Sequence, residues 1–285
     1  MDPVTARKTW RTVEPVHGLV YFAPEPAEEY AAIGLGPGQR GYFASRAAPM
    51  GAVPAEVVIA TFYNFRPQLV TDAIPAAWTV ATPDAIVAAR LRGAGRALRG
   101  VLGDDADAPD VAAAAAIARE AALRATDHPE GRPLFAAHAS LDWPEDPLLV
   151  LWHAQTLLRE FRGDAHVALL ATAEVSGLEA LVVHGATGEV PPAALQATRG
   201  WTDAEWAGAV EDLRTRGWLA ADGSLTDAGR AHRQQVEDRT DELAVVAYEE
   251  IGDDECARLR ELVRPLSRTI VESGALGFGG RARPR

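Results

Sequence analysis

The segment LREFRGDAH, residues 158–166, concentrates charged side chains within an apolar stretch of the chain. Such groups either lie at a solvated corner between two helices or point into a pocket, because buried polar groups need partners. We expect Gly163 to break a helix and Asp164 to cap the next one. Glu160 and His166 have no comparable structural explanation. We therefore predict that these two residues are catalytic.

A second set of candidate groups lies near the N-terminus. Glu14, His17 and Tyr21 are spaced at i, i+3 and i+7, so they share one face of a helix. A carboxylate that orients an imidazole, beside a phenol that donates a proton, would suit acid–base chemistry. The alternative is a half-exposed helix in which a neighbour satisfies His17. Pro15 lies inside the pattern and is expected to kink or restart the helix.

Two further polar residues occur in apolar helical surroundings. Arg46 lies in YFASRAAPM and Asn64 lies in ATFYNF. Arg46 is suited to receive a carboxylate or phenolate of a ligand, or to pair structurally with Glu56 or Glu29.

The predicted site comprises three candidate catalytic residues and five candidate ligand-binding residues. The catalytic candidates are His17, Glu160 and His166, and the ligand-binding candidates are Tyr21, Arg46, Asn64, His153 and Arg162. His184 ends an apolar helix, where a cationic ring would be stabilised by the helix dipole. His128 and His232 are expected in loops or on the surface.

The recognised motifs of metal, nucleotide and nucleophile chemistry are missing from the sequence. No His-x-x-x-His or His-Glu-x-x-His spacing occurs, and there is no P-loop, dinucleotide fingerprint or Gly-x-Ser-x-Gly. The single cysteine, Cys256, lies on a charged helix without a nucleophile signature. We therefore expect no metal and no cofactor. Any reaction would be of an acid–base type, such as that of a lyase, isomerase or cyclase.

Composition limits the classes of protein to consider. The chain has 285 residues, 48% of them hydrophobic, and a formal net charge of -12. This apolar content predicts a folded chain, and the absence of a long apolar run or a signal sequence favours a cytoplasmic protein. The negative charge disfavours binding to a phosphate backbone.

Similar blocks recur along the chain and indicate an internal duplication. AAWTVATPDAIVAARLRG and RGWTDAEWAGAVEDLRTRG each place a tryptophan and a threonine cap before a helix. Trp78 and Trp201 are 123 positions apart, as are Glu56 and Glu179 in the preceding blocks. Five blocks follow the same order, whereas generic helical similarity would leave the order to chance.

The second copy of the repeat predicts a winged helix. We expect its helices at 164–174, 177–185, 202–216, 226–241 and 254–273. GWLAADGSLTDAG would form two short strands around an Asp-Gly turn, a wing near 217–226. The predicted units are residues 1–144, led by a helix at 3–22, and residues 145–285, led by a helix at 145–161. The basic tail, 276–285, would be flexible.

The region around this wing resembles that of MarR-type regulators, in the pattern L-x-x-R-G-W-L-x-x-D-G-x-L-T-x-x-G. More broadly, the chain resembles an actinobacterial helix-turn-helix family that is largely uncharacterised in function. The stretches that carry this resemblance are EPVHGLVYFAPE, LREFRGDAHVALL, LVVHGATG and TRGWTDAEW. The resemblance implies a mainly α fold of tandem winged-helix units that form a single-chain MarR-like pseudo-dimer. The protein would be a monomer or a weak homodimer, with a ligand site near the interface between its halves.

The helix that would enter the major groove is acidic. Helix 202–216 carries four acids against Arg214 and Arg216, and it lacks the side chains that read base edges. We therefore favour a protein that binds a small organic molecule, has lost DNA binding, and serves specialised metabolism as an acid–base enzyme. The alternative is a ligand-responsive transcriptional regulator of MarR type.

Overall fold

The computed structural model describes residues 1–36 and 38–277, and they form a mainly helical protein. Short 3-10 segments connect several of the helices. The α-helices of the described residues are α1 (Pro3–Gly18), α2 (Pro24–Ala32), α3 (Gln39–Ala47), α4 (Ala55–Phe62), α5 (Pro67–Thr71), α6 (Pro83–Leu102), α7 (Pro109–Ala125), α8 (Pro133–Ala139), α9 (Pro147–Thr172), α10 (Gly177–Gly185), α11 (Pro192–Arg199), α12 (Asp203–Thr215), α13 (Asp227–Ala244), α14 (Val246–Glu249) and α15 (Gly252–Glu272).

Side-chain caps define where many of these helices begin. Thr202 accepts a hydrogen bond from the Glu205 backbone N–H, while the Glu205 carboxylate accepts one from the Thr202 N–H, which forms a capping box. Thr226 accepts a hydrogen bond from the Gly229 N–H at the start of α13, as the sequence predicted. The other helices with a side-chain cap begin after Asp2, Thr82, Asp146 and Ser176.

Helix α9 is the central element of the fold. It contacts α1, α6, α7, α8 and α13, and most of its residues are buried. The facing helix α7 is rich in alanine, and its small side chains allow the two helices to pack closely. This packing makes α9 the rigid element that carries the polar segment 158–166.

The predicted break at Gly163 is wrong, because α9 continues from Pro147 to Thr172 without interruption. A glycine lowers helix propensity by only about 1 kcal/mol relative to alanine. The tertiary packing of α9 outweighs that loss. Asp164 therefore lies within a helix and does not cap one that follows Gly163.

The predicted wing is also absent, since the described residues contain no β-strand. Leu219 and Leu225 form only an isolated antiparallel bridge. Few residues are left for strands, because α12 ends at Thr215 and α13 begins at Asp227. The pairing around this bridge is limited to the Ala220 N–H donating to the Ser224 carbonyl and the Thr226 N–H donating to the Trp218 carbonyl. The chain is thus mainly α, and its second half carries a tight turn in place of a β-hairpin.

Helices α10, α11 and α12 form a compact three-helix group in the second half of the chain. α10 packs against both α11 and α12, and Leu213 is fully buried in the group. The turn between α11 and α12 contains Gly200 in a left-handed conformation, with φ +75°. This arrangement is a helix-turn-helix, although the sequence did not predict α11.

The largest core cluster includes residues from both sides of the predicted boundary between 144 and 145. Val13 and Leu98 share this cluster with Phe161 and Leu259. The division into units 1–144 and 145–285 remains a prediction, as does the internal duplication. Most of the predicted tail, residues 278–285, lies outside the described residues.

No single helix in the described part of the chain has the length and apolar character needed to cross a membrane.

Candidate functional site

A cleft of about 670 Å³ lies against the middle of α9. Residues 61–65, at the end of α4, form one side, and α10 and α13 contribute to the other. Five of the eight predicted site residues line the cleft, namely Arg46, Asn64, Glu160, Arg162 and His166. His17, Tyr21 and His153 are absent from the lining.

Glu160 and Arg46 form a buried ion pair at the cleft. Arg46 Nη2 lies 3.2 Å from Glu160 Oε1, and Arg46 Nη1 donates a 2.9 Å hydrogen bond to the Tyr42 hydroxyl. The alternative considered for Arg46, a structural pair with Glu56 or Glu29, is not formed, because Arg46 pairs with Glu160 while Glu29 pairs with Arg92 and Arg96. Burial opposes ionisation of Glu160, but Arg46 and Arg159 outweigh it and lower the pKa of the carboxyl group. Glu160 is therefore a carboxylate near neutral pH.

Asp164 lies one helical turn beyond Glu160 and has the opposite electrostatic character. Its Oδ2 accepts a 2.9 Å hydrogen bond from the backbone N–H of Phe135, at the start of α8. Asp164 thus stabilises the first turn of a different helix from the one predicted. Burial raises its pKa to about 6, since the backbone hydrogen bond only partly offsets desolvation. The cleft therefore places a firmly ionised carboxylate beside a carboxyl group that exchanges its proton near neutral pH.

His17 is buried behind the cleft with both ring nitrogens hydrogen-bonded. Its Nδ1 lies 2.9 Å from Thr156 Oγ1 and its Nε2 lies 3.0 Å from the Tyr21 hydroxyl. Since the Thr156 hydroxyl donates to the Trp152 carbonyl, it accepts from His17 Nδ1–H, and the Tyr21 hydroxyl then donates to Nε2. Burial, together with nearby arginines, lowers the pKa of His17 well below its ordinary value. His17 is thus neutral, with its hydrogen bonds satisfied by the protein.

Tyr21 connects this histidine to the guanidinium groups around it. Arg90 Nη2 donates a 3.2 Å hydrogen bond to the Tyr21 hydroxyl, and the Arg46 guanidinium lies 5.7 Å from the Tyr21 ring centroid. His17 and Tyr21 do contact each other across one face, as predicted. Glu14 instead pairs with Arg159 and accepts a hydrogen bond from Gln155. Pro15 does not end α1, which continues to Gly18.

Residues of α13 form ion pairs and hydrogen bonds with Arg162 and His166 of α9. Arg162 lies 2.8 Å from Asp241 and 3.1 Å from Glu237. His166 Nδ1 lies 2.9 Å from the Thr240 hydroxyl, and burial lowers the pKa of its imidazole. Both residues therefore have protein partners while still lining the cleft.

The other predicted residues have varied surroundings. Asn64 lies beyond the end of α4, and its backbone carbonyl accepts a hydrogen bond from Trp201 Nε1. His153 packs edge-on against Trp143, away from the cleft, and burial lowers its pKa to about 4. His232 was expected in a loop or on the surface, but it lies half-buried on α13 and lines the cleft, with its ring stacked on Trp218 at 3.9 Å.

The sequence reasoning missed Arg199 and the aromatic side chains of the cleft. Arg199 ends α11, and its guanidinium lies 4.8 Å from the centroid of Phe65. The aromatic lining residues are Trp10, Tyr42, Phe62, Tyr63, Phe65 and Trp218. Phe62, Tyr63 and Phe65 are close in sequence, but Trp10, Tyr42 and Trp218 reach the cleft only through tertiary contacts.

Among the described residues, no group of three or more His, Cys, Asp and Glu side chains is arranged to hold a metal ion. The cleft instead combines aromatic walls with seven arginines and four acidic residues. Such a lining suits an organic ligand with polar or charged groups.

Comparison with known proteins supplies a family for this fold. A family model described as a helix-turn-helix family matches residues 6–277. Neither the curated proteins nor the solved structures yield a match. The MarR-type and actinobacterial features are more specific than this match and remain predictions. Because the matched region spans nearly the whole sequence, the chain belongs to a helix-turn-helix family.

Proposed function

We propose that this protein binds a small organic molecule in the cleft beside α9, on a helix-turn-helix scaffold that has lost DNA binding. The observation that carries this proposal is the cleft itself, which has a volume typical of small-molecule sites. Its floor is a helix with buried polar side chains, so the shape of the site is set before a ligand enters. A preorganised cavity of this kind favours binding because little ordering is needed.

The charges on α12, the second helix of the helix-turn-helix, support the proposed loss of DNA binding. Asp203, Glu211 and Asp212 are exposed on α12, together with Arg214, and Arg216 is exposed directly after the helix ends. Carboxylates that face a phosphate-lined groove repel it, and the chain as a whole carries a net charge of -12. Binding through α12 would therefore be unfavourable.

The proposal extends to acid–base chemistry of a lyase, isomerase or cyclase type in specialised metabolism. Glu160 and Asp164 have pKa values displaced in opposite directions, which is a common feature of paired acid and base groups. Asp164 would hold or accept the proton, and the Glu160–Arg46 pair would provide a fixed charge beside it. His17 supports the site from behind, through Tyr21.

Ligand binding in the cleft can be tested with a substitution that fills the cavity with a bulky side chain. Gly163 lines the cleft, and a Cβ atom there would meet only Glu160 Oε2, at 3.6 Å. Gly163→Phe should therefore direct its ring into the cavity and prevent ligand binding. The measurement is saturation-transfer NMR with a mixture of aromatic acids, amides and alcohols.

The matched control is Gly208→Phe, because a Cβ atom at Gly208 meets nothing within 4 Å on the exposed side of α12. Wild type and Gly208→Phe should bind the same fragments, whereas folded Gly163→Phe should bind none of them. Identical fragment binding by all three proteins would contradict the proposal.

A ligand-responsive DNA-binding regulator is the second candidate, and the match to a helix-turn-helix family over residues 6–277 favours it. Fluorescence anisotropy with a labelled duplex from the region upstream of the coding sequence separates the two functions. Our proposal predicts no salt-sensitive binding at micromolar protein. Tight binding that weakens steeply with added salt would favour the regulator.

A further inference from the structure

The cleft has more positive than negative side chains, in a protein of opposite overall charge. Seven arginines line it against four acidic residues, whereas the chain carries a net charge of -12. Most of these arginines have carboxylate partners. Arg46 pairs with Glu160, Arg159 with Glu14, and Arg162 with Asp241 and Glu237.

Arg199 differs from these residues, because it has no carboxylate partner among the described residues. Within the part of the chain that the structure describes, its one side-chain hydrogen bond goes from Nη1 to the hydroxyl of the adjacent Thr198, and its Nε is buried without a partner. The guanidinium carbon lies 4.8 Å from the ring centroid of Phe65, within the range of a cation–π contact. Burial, followed by repulsion from Arg46 and Arg159, lowers the pKa of Arg199. A partly buried guanidinium without a carboxylate partner loses hydration that no ion pair replaces, and a bound anion would compensate for this loss.

The surroundings of Arg199 indicate the rest of the ligand. Tyr42 lies between the two arginines: its ring centroid is 5.5 Å from that of Phe65 and 5.6 Å from the Arg46 guanidinium. The Arg46 guanidinium also lies 4.3 Å from the Phe62 centroid. At this end of the cleft, the two guanidinium groups therefore lie beside aromatic rings, against which a planar ring of a ligand can stack.

We propose that the ligand is an aromatic organic anion, whose carboxylate or equivalent acidic group binds Arg199 and whose ring lies against Tyr42 and Phe65. This inference rests on the proposed function of the cleft and adds the chemical class of its ligand. The planar guanidinium suits a bidentate contact with such an acidic group.

A pair of fluorescent probes tests the charge preference separately from binding to the cleft. 1-Anilinonaphthalene-8-sulfonate carries an acidic group, and N-phenyl-1-naphthylamine has the same aromatic body without it. Both are titrated into the full-length protein, with energy transfer from cleft tryptophans such as Trp218 as the readout. We expect the sulfonate to bind about tenfold more tightly than the neutral amine, as one charge-assisted contact would provide.

Three variants assign this preference to Arg199. Arg199→Gln should weaken sulfonate binding by about tenfold and leave amine binding unchanged, and Arg199→Lys should retain most of the preference. Arg264→Gln, at an exposed position on α15, is the control and should behave like wild type.

Equal affinities for the two probes, unaltered by Arg199→Gln, would overturn the ligand class but leave the cleft as a binding site. Absence of saturable binding by both probes would contradict the proposed function as well. Loss of binding of both probes in a folded Arg199→Gln would also count against the inference, since it would make Arg199 a structural residue.

Discussion

Glu160 and Asp164 occupy neighbouring turns of α9, yet their environments differ. Glu160 has arginine partners, whereas Asp164 has a backbone N–H and little solvent. The sequence identified Glu160 as unusual because a helix break and a helix cap, expected at Gly163 and Asp164, left it unexplained. It did not reveal Asp164 as a titrating group, because the desolvation of that residue depends on α8, which is distant in sequence.

Asp164 should make stability fall as pH rises. Its carboxyl group has an ordinary pKa of 3.8 and a folded pKa of about 6, so the folded state binds the proton more tightly. The stabilisation is fully present below pH 3.8 and is lost as pH rises through about 6. Asp164→Asn should therefore become more stable relative to wild type, by about 3 kcal/mol, between pH 3.5 and pH 7.5. Urea unfolding at both pH values measures the change, and an equal difference at the two would contradict the raised pKa.

Removal of the Glu160 charge should destabilise the fold. Glu160→Gln leaves the Arg46 guanidinium without its carboxylate in a mostly buried position. We expect a loss of about 3 kcal/mol in the free energy of unfolding, measured by urea denaturation. Glu211→Gln breaks an exposed pair with Arg214 and should cause little change. Similar effects in the two variants would mean that the Arg46–Glu160 pair adds nothing specific.

Helices α10, α12, α13 and α15 lie close to their predicted positions. Their N-terminal caps and apolar spacing are local signals, as at Ser176 and Thr202. The continuity of α9 through Gly163 was not predicted, because the packing of α7 and α13 against α9 decides it. The wing was not formed for a different reason. The Asp-Gly turn was a correct local signal, but the flanking helices α12 and α13 leave room for only one isolated bridge between Leu219 and Leu225.

The turn of the helix-turn-helix should depend on Gly200. This residue has φ +75°, and a Cβ atom there would lie 2.5 Å from Leu69 Cδ1. Gly200→Ala should reduce the free energy of unfolding by about 2 kcal/mol, through backbone strain and the displaced leucine. Gly208→Ala, within α12, should instead stabilise by about 0.5–1 kcal/mol. Thermal unfolding of both variants tests this, and a neutral Gly200→Ala would argue against the left-handed turn.

At the level of the whole chain, the predicted internal duplication and the shared core lead to different expectations for folding. The predicted units would be separate if each had its own core, but Val13, Leu98, Phe161 and Leu259 belong to one cluster. The sequence showed which residues are apolar. It could not show that α9 would pack its buried face against helices of the first half.

Unfolding should therefore be a single cooperative transition. Far-UV circular dichroism and tryptophan fluorescence should give coincident urea curves, because the shared core couples both halves. Two separated transitions would instead favour independent units at 1–144 and 145–285.

Ligand binding in the cleft can be located by the indole N–H signals of the protein. The chain has seven tryptophans, of which Trp10 and Trp218 line the cleft. Trp78 and Trp143 lie elsewhere, one hydrogen-bonded to Val53 and the other packed on His153. The measurement is an NMR titration of ¹⁵N-tryptophan-labelled protein with 1-anilinonaphthalene-8-sulfonate, assigned with Trp10→Phe and Trp218→Phe. We predict saturable shifts of the Trp10 and Trp218 signals while those of Trp78 and Trp143 stay in place; unchanged Trp10 and Trp218 signals at saturation would contradict a ligand site in this cleft.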